Sequence, residues 1–177
     1  MTLLILILLI IGMVIGYRRG IILQLLHLIG TISAIIISAM NYERLASRLD
    51  MVLPYPSTAQ TISSSLLPEI DNAEFGFYKM AAFFMIFVVA KIVIQLIVSA
   101  FDYLQQVNAF GRTGDILGTA LGLIEMIYLL VVILVMATLI PLDIVQTTIE
   151  NSGLARFLMD NTFIISDKFI EWLQTGS

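Results

Sequence analysis

The sequence has no cysteine and a single histidine, His27. The first absence excludes a disulfide framework and any thiolate metal site, and the second excludes a histidine-rich metal cluster. Charge is scarce too. Only 12% of the 177 residues are Asp, Glu, Lys or Arg, against about 25% in soluble domains. These charges sum to −4, and binding a polyanion needs a basic face, so nucleic acid is not expected as a partner. The sequence holds no Walker A loop, no G-x-G-x-x-G after a strand, no H-E-x-x-H and no G-x-S-x-G. No cofactor, metal or catalytic residue is therefore expected, and the chain does not read as an enzyme.

What is abundant is apolar surface. Hydrophobic residues make up 59% of the chain, and the mean hydropathy is +1.01. A soluble chain of this length would cover its core with charge, and here too little charge remains to do so. The outer surface must face lipid. The fold class expected is all-α, a polytopic membrane protein, because an open strand in lipid leaves backbone groups unpaired.

Crossing ~30 Å of hydrocarbon at ~1.5 Å per residue takes about 20 apolar residues. Four spans are expected, at about 2–17, 21–40, 77–101 and 116–140, the last closed by Pro141. They form a transmembrane domain over 1–140, followed by an amphipathic segment over 141–177. The first apolar run lacks positive charge before it and a small-residue cleavage site after it, so it is read as a retained span and not a signal peptide. Tyr17-Arg18-Arg19-Gly20 is so tight a link that the first two spans must form an antiparallel hairpin. In the 41–76 connection Arg44, Arg48 and Asp50 lie among Leu45, Leu49 and Val52, which suits a short interfacial helix. After Pro141 apolar residues such as Leu154, Phe157, Leu158 and Trp172 alternate with charged ones. One or two interfacial helices are expected there, with Ser152 as an N-cap and Trp172 at headgroup depth.

Basic residues in short loops set orientation. Arg18 and Arg19 stand in an acid-free loop and Arg112 in the 102–115 loop, so these loops are expected in the cytoplasm and both termini outside.

Small residues recur at spacing four: Gly12, Gly16, Gly20; Gly30, Ala34, Ser38; and Gly114, Gly118, Gly122. Such spacing puts each row on one helix face. In lipid, small residues let backbones approach and pack, although glycine is also simply common in membrane helices. The rows point to a tight bundle or to a homo-oligomer or contact with other membrane proteins.

Lys91 and Glu125 are the two charges well inside spans. Lys91 lies ten residues from Phe101 and Glu125 nine from Ile116, roughly 15 and 14 Å deep at ~1.5 Å per residue. Equal depth allows an ion pair between the third and fourth spans. The alternatives are Lys91 snorkelling out on its stem and a pair lining a transport path. His27 and Gln95 match likewise, each six residues from its cytoplasmic end. A lone helical His is more often a hydrogen-bond partner between helices than a proton relay. Gln24 is a further polar group nearby, and Lys79, at a span end, can snorkel.

The stretch Gly16-Tyr-Arg-Arg-Gly20-Ile-Ile-Leu-Gln-Leu, followed by Gly30, resembles the N-terminal hairpin of the CvpA (colicin V production protein) family of bacterial membrane proteins. Phe110-Gly-Arg-Thr-Gly114-Asp-Ile-Leu-Gly118-Thr-Ala-Leu-Gly122-Leu-Ile resembles that family's glycine-rich entry into its fourth span. Asn151-Ser-Gly-Leu-Ala-Arg resembles its short serine-containing segment after that span. Glu125 departs from the family pattern, which often has a basic or neutral residue there. The resemblance implies a multi-pass protein of the bacterial inner or plasma membrane. It also implies a non-enzymatic accessory role in toxin production or export or in envelope homeostasis. It brings no catalytic residues. The alternative reading of the residues is a small oligomeric transporter or channel protomer.

Overall fold

A computed structural model describes residues 1–49, 51–54, 73–102, 110–138 and 143–161. Helices α1 (Thr2–Leu49), α2 (Ala73–Ser99), α3 (Gly111–Thr138), α4 (Asp143–Glu150) and α5 (Gly153–Asn161) account for nearly all of them. No strand occurs among the described residues. Three helices are long and apolar enough to cross a membrane: α1, the Gly76–Ser99 part of α2 and the Gly111–Ala137 part of α3. Their outer faces carry Leu3, Leu4, Ile29, Val89, Leu96 and Ile116, each more than half exposed. Water would not tolerate so broad an apolar face, and lipid does.

The chain divides into two compact units. One comprises residues 3–38 and 86–130, the other residues 1–2, 39–85 and 131–177. In the first unit, α1 is interrupted at Gly20, whose φ of 71° and ψ of 176° are non-helical. That combination is open essentially to glycine alone. On one side of the break, a Cβ at Gly12 would touch Met126. On the other, Gln24 bonds Glu125, one residue away on α3. In a continuous helix, residues 12 and 24 would stand ~18 Å apart along the axis at ~1.5 Å per residue. Both meet the same level of α3, so the chain reverses at Gly20. The expected first two spans are thus the two arms of one interrupted helix.

Several boundaries differ from those expected. The second arm does not stop at Met40 but runs on to Leu49. Residues 41–49 hold no Gly or Pro, so nothing ends the helix where its polarity rises, and the expected short interfacial helix is here a continuation of α1. The third expected span begins earlier, in a helix from Ala73, and ends at Ser99. The fourth begins at Gly111, next to Phe110, whose φ of 69° lies in the left-handed region.

In the second unit, Tyr42, Ala46, Met80, Ala81, Leu134 and Ile149 are buried. Tyr78 donates its hydroxyl to the Leu53 carbonyl at 2.9 Å. Lys79, expected to snorkel, is only 3% exposed. Ser152 starts α5 as a cap should, its Oγ accepting from the Ala155 amide at 3.4 Å and pairing with the Thr2 hydroxyl at 3.0 Å. Trp172 and the rest of the amphipathic tail beyond Asn161 lie outside the described residues, as do Asp50 and the polar run 57–65.

Candidate functional site

The two glycine rows of α1 and α3 face each other. A Cβ on Gly16 would collide with the Gly118 carbonyl oxygen and stand 2.9 Å from the Gly122 Cα. One on Gly118 would meet the Gly16 oxygen at 2.5 Å and the Gly20 backbone at 2.8 Å, and one on Gly122 would run into the Gly12 oxygen. The obstacles here are backbone atoms, so the absence of side chains sets the helix separation. Gly114 is buried on the same helix. Gly30 meets a side chain instead, since a Cβ there would lie 2.7 Å from Ile94 Cγ2 on α2.

With the helices held this close, the polar groups inside them converge. Lys91 Nζ stands 2.7 Å from Glu125 Oε1 and also donates to the Thr31 hydroxyl. Thr31 donates in turn to Glu125 Oε1 at 2.7 Å, and Gln24 Nε2 donates to Glu125 Oε2 at 2.6 Å. Both carboxylate oxygens are therefore occupied. A charge at the bilayer centre costs at least ~2.5–3.5 kcal/mol on insertion scales, and three donors around one carboxylate offset that cost. His27 Nδ1 pairs with Gln95 Oε1 at 3.1 Å. Gln24, His27, Thr31 and Glu125 are all less than a tenth exposed, while the Lys91 side chain keeps 18% exposure.

The equal depths read from the sequence thus correspond to contacts in both pairs. Thr31 was missed. Its signal was present: Gln24, His27 and Thr31 are spaced by three and four, one polar stripe on an apolar helix.

Beside the cluster lies a partly open cavity of about 190 Å³. Gln24, Lys91, Gln95 and Glu125 form its polar wall, Ile15, Met126 and Leu129 its apolar wall, and Arg19 also lines it. Arg19, read from the sequence as a topology signal, is half-buried, whereas Arg18 and Arg112 are exposed.

Known proteins resemble this chain along nearly its whole length. The Colicin V production protein family matches residues 1–162. The chain belongs to that family. An uncharacterized transmembrane protein of Bacillus subtilis (strain 168), YshB, is 31% identical over 180 residues, covering all of this chain and 99% of its own length. No solved structure matches. As a Colicin V production family member with three helices able to cross a bilayer, the chain is a membrane protein. The matched stretch includes both glycine rows and every residue of the polar cluster.

Proposed function

We propose that this Colicin V production family protein is a non-enzymatic accessory component of the bacterial plasma membrane, serving toxin production or export or envelope homeostasis. The observation that carries this reading is how its chemistry-bearing groups are used. Lys91, Glu125, Thr31 and Gln24 are bonded to one another, as befits a group of helices locked at fixed spacing for assembly. The chain crosses four times in this reading, with the reversal at Gly20 making two spans of α1, the Arg18–Arg19 turn and Arg112 in the cytoplasm, and both termini outside. Its partners are the lipid bilayer and a second copy of itself or other envelope proteins. Deleting the gene and complementing it with wild type or with Gly118→Leu tests the role. Failure of the packing variant to restore toxin export or detergent resistance supports it, and full restoration by a variant that no longer assembles overturns it.

The cavity beside Lys91–Glu125 favours a second reading, a small oligomeric transporter or channel protomer. Crosslinking in the membrane followed by gel-measured stoichiometry separates the two, because a strict monomer of four spans leaves no pore.

A further inference from the structure

We propose that the 190 Å³ cavity binds a small monoanionic oxyanion of the phosphate type, held by the Arg19 guanidinium. Glu125 accepts on both oxygens, from Lys91 and Thr31 on one and from Gln24 on the other. A cation approaching Glu125 meets the Lys91 ammonium already 2.7 Å from it and is repelled. The unspent groups are mainly donors. Arg19 lines the cavity half-buried and, among the described residues, forms no ion pair or hydrogen bond, although Glu125 and Asp102 are near enough to attract it. Lys91 uses two of its three N–H groups. Gln95 accepts through Oε1, leaving its amide N–H groups. The charges on the lining are Arg19 and Lys91 against Glu125, one positive charge in excess there, with Asp102 acting on Arg19 from outside the lining. A planar guanidinium with free N–H groups recognises two oxygens of a carboxylate or phosphate at once.

A further observation narrows the ligand. Gln24 lines the same cavity, is 1% exposed, and its carbonyl Oε1 has no hydrogen-bond partner among the described residues. A buried acceptor left unmade costs free energy, and a hydroxyl on the ligand would satisfy it once the side chain turns its enclosed Oε1 toward the cavity. Phosphate as the monoanion carries such a hydroxyl, and so does the glycerol headgroup of an anionic phospholipid. The volume equals about six waters at ~30 Å³ each, enough for a phosphate group and a short apolar stem along Ile15 and Leu129. Free phosphate and a lipid headgroup share this chemistry, and the experiment separates them.

The full-length protein in phosphatidylcholine nanodiscs is melted with inorganic phosphate against chloride at equal ionic strength. It is melted again in phosphatidylcholine nanodiscs containing phosphatidylglycerol. A ligand that binds only the folded state raises Tm. A rise with phosphate in pure phosphatidylcholine identifies the free ion as source, and a rise only with phosphatidylglycerol identifies the headgroup. In either case Arg19→Gln should weaken apparent affinity on the order of tenfold or more, while Arg18→Gln, altering an exposed charge, keeps the shift. Leu129→Trp fills the apolar wall and should also abolish the shift, which keeps the test decisive if Arg19→Gln does not fold. No shift with either probe overturns the proposal. So does a shift undiminished in Leu129→Trp, or one lost equally in Arg18→Gln.

Discussion

Gly16→Ala is the smallest change that tests how α1 and α3 hold together. The added methyl would stand 2.9 Å from the Gly122 Cα and 3.0 Å from the Gly118 carbonyl carbon, and nearer still to the Gly118 oxygen. Ordinary van der Waals contact begins at 3.4 Å, so the backbones must part by at least about half an ångström. No side chain can swing aside, because each of these obstacles is backbone. A gap of ~0.5–1 Å forfeits a quarter to a half of each contact along the face, and overpacking of this kind costs ~1–3 kcal/mol. Leu117→Ala removes more atoms but from a side chain that is 44% exposed, and should stay within about 0.5 kcal/mol of wild type. Thermal unfolding of both variants in the same detergent decides. A Gly16→Ala variant as stable as wild type, or no less stable than Leu117→Ala, would refute the view that the glycine rows set the helix separation.

Further outcomes follow from other positions. Gly20→Ala has room for its methyl, the nearest atom being Asp115 Oδ1 at 3.9 Å. It must nevertheless adopt a φ of 71° and should lose ~1–3 kcal/mol; unchanged melting would mean that the reversal does not depend on that conformation. Ser152→Ala removes the α5 cap and the partner of Thr2, and should cost ~0.5–2 kcal/mol by denaturant titration. For the proposed orientation, single cysteines at Thr2 and at the exposed Tyr17 are probed in intact cells with an impermeant thiol reagent. Labelling at position 2 but not at 17 is expected, and the reverse pattern would invert the topology.

The apolar runs around Val89 and Leu130 announce membrane helices, because exposure to lipid demands an unbroken apolar composition that few other settings tolerate. The glycine rows announce close packing by their spacing. Which row meets which was not legible, because spacing fixes a face on one helix without naming its partner. The same limit governs Lys91 and Glu125: equal depth puts them in one layer, and the packing of α1 on α3 at Gly16–Gly118 and on α2 at Gly30–Ile94 brings their helices together. Thr31 was passed over because threonine is ordinary in membrane helices. Its role depends on standing one turn beyond His27, on the face turned toward α2 and α3. The second arm runs on past Met40, where the expected span closes and polarity rises, because a helix ends at a breaker and not at a change in polarity.

The Lys91–Glu125 ion pair, neutralised where it sits, ties α2 to α3. The direct test is a double-mutant cycle on Lys91→Met and Glu125→Gln, read by thermal stability in detergent and by complementation in cells. Each single variant strands a charge that the cluster had neutralised, and breaking a buried pair from one side costs ~3–5 kcal/mol, while removing both partners can be nearly neutral. The double variant should be more stable than at least one single variant and still complement the deletion. Losses that simply add in the double variant would contradict it, since they would show that the 2.7 Å contact between Lys91 and Glu125 carries no coupling.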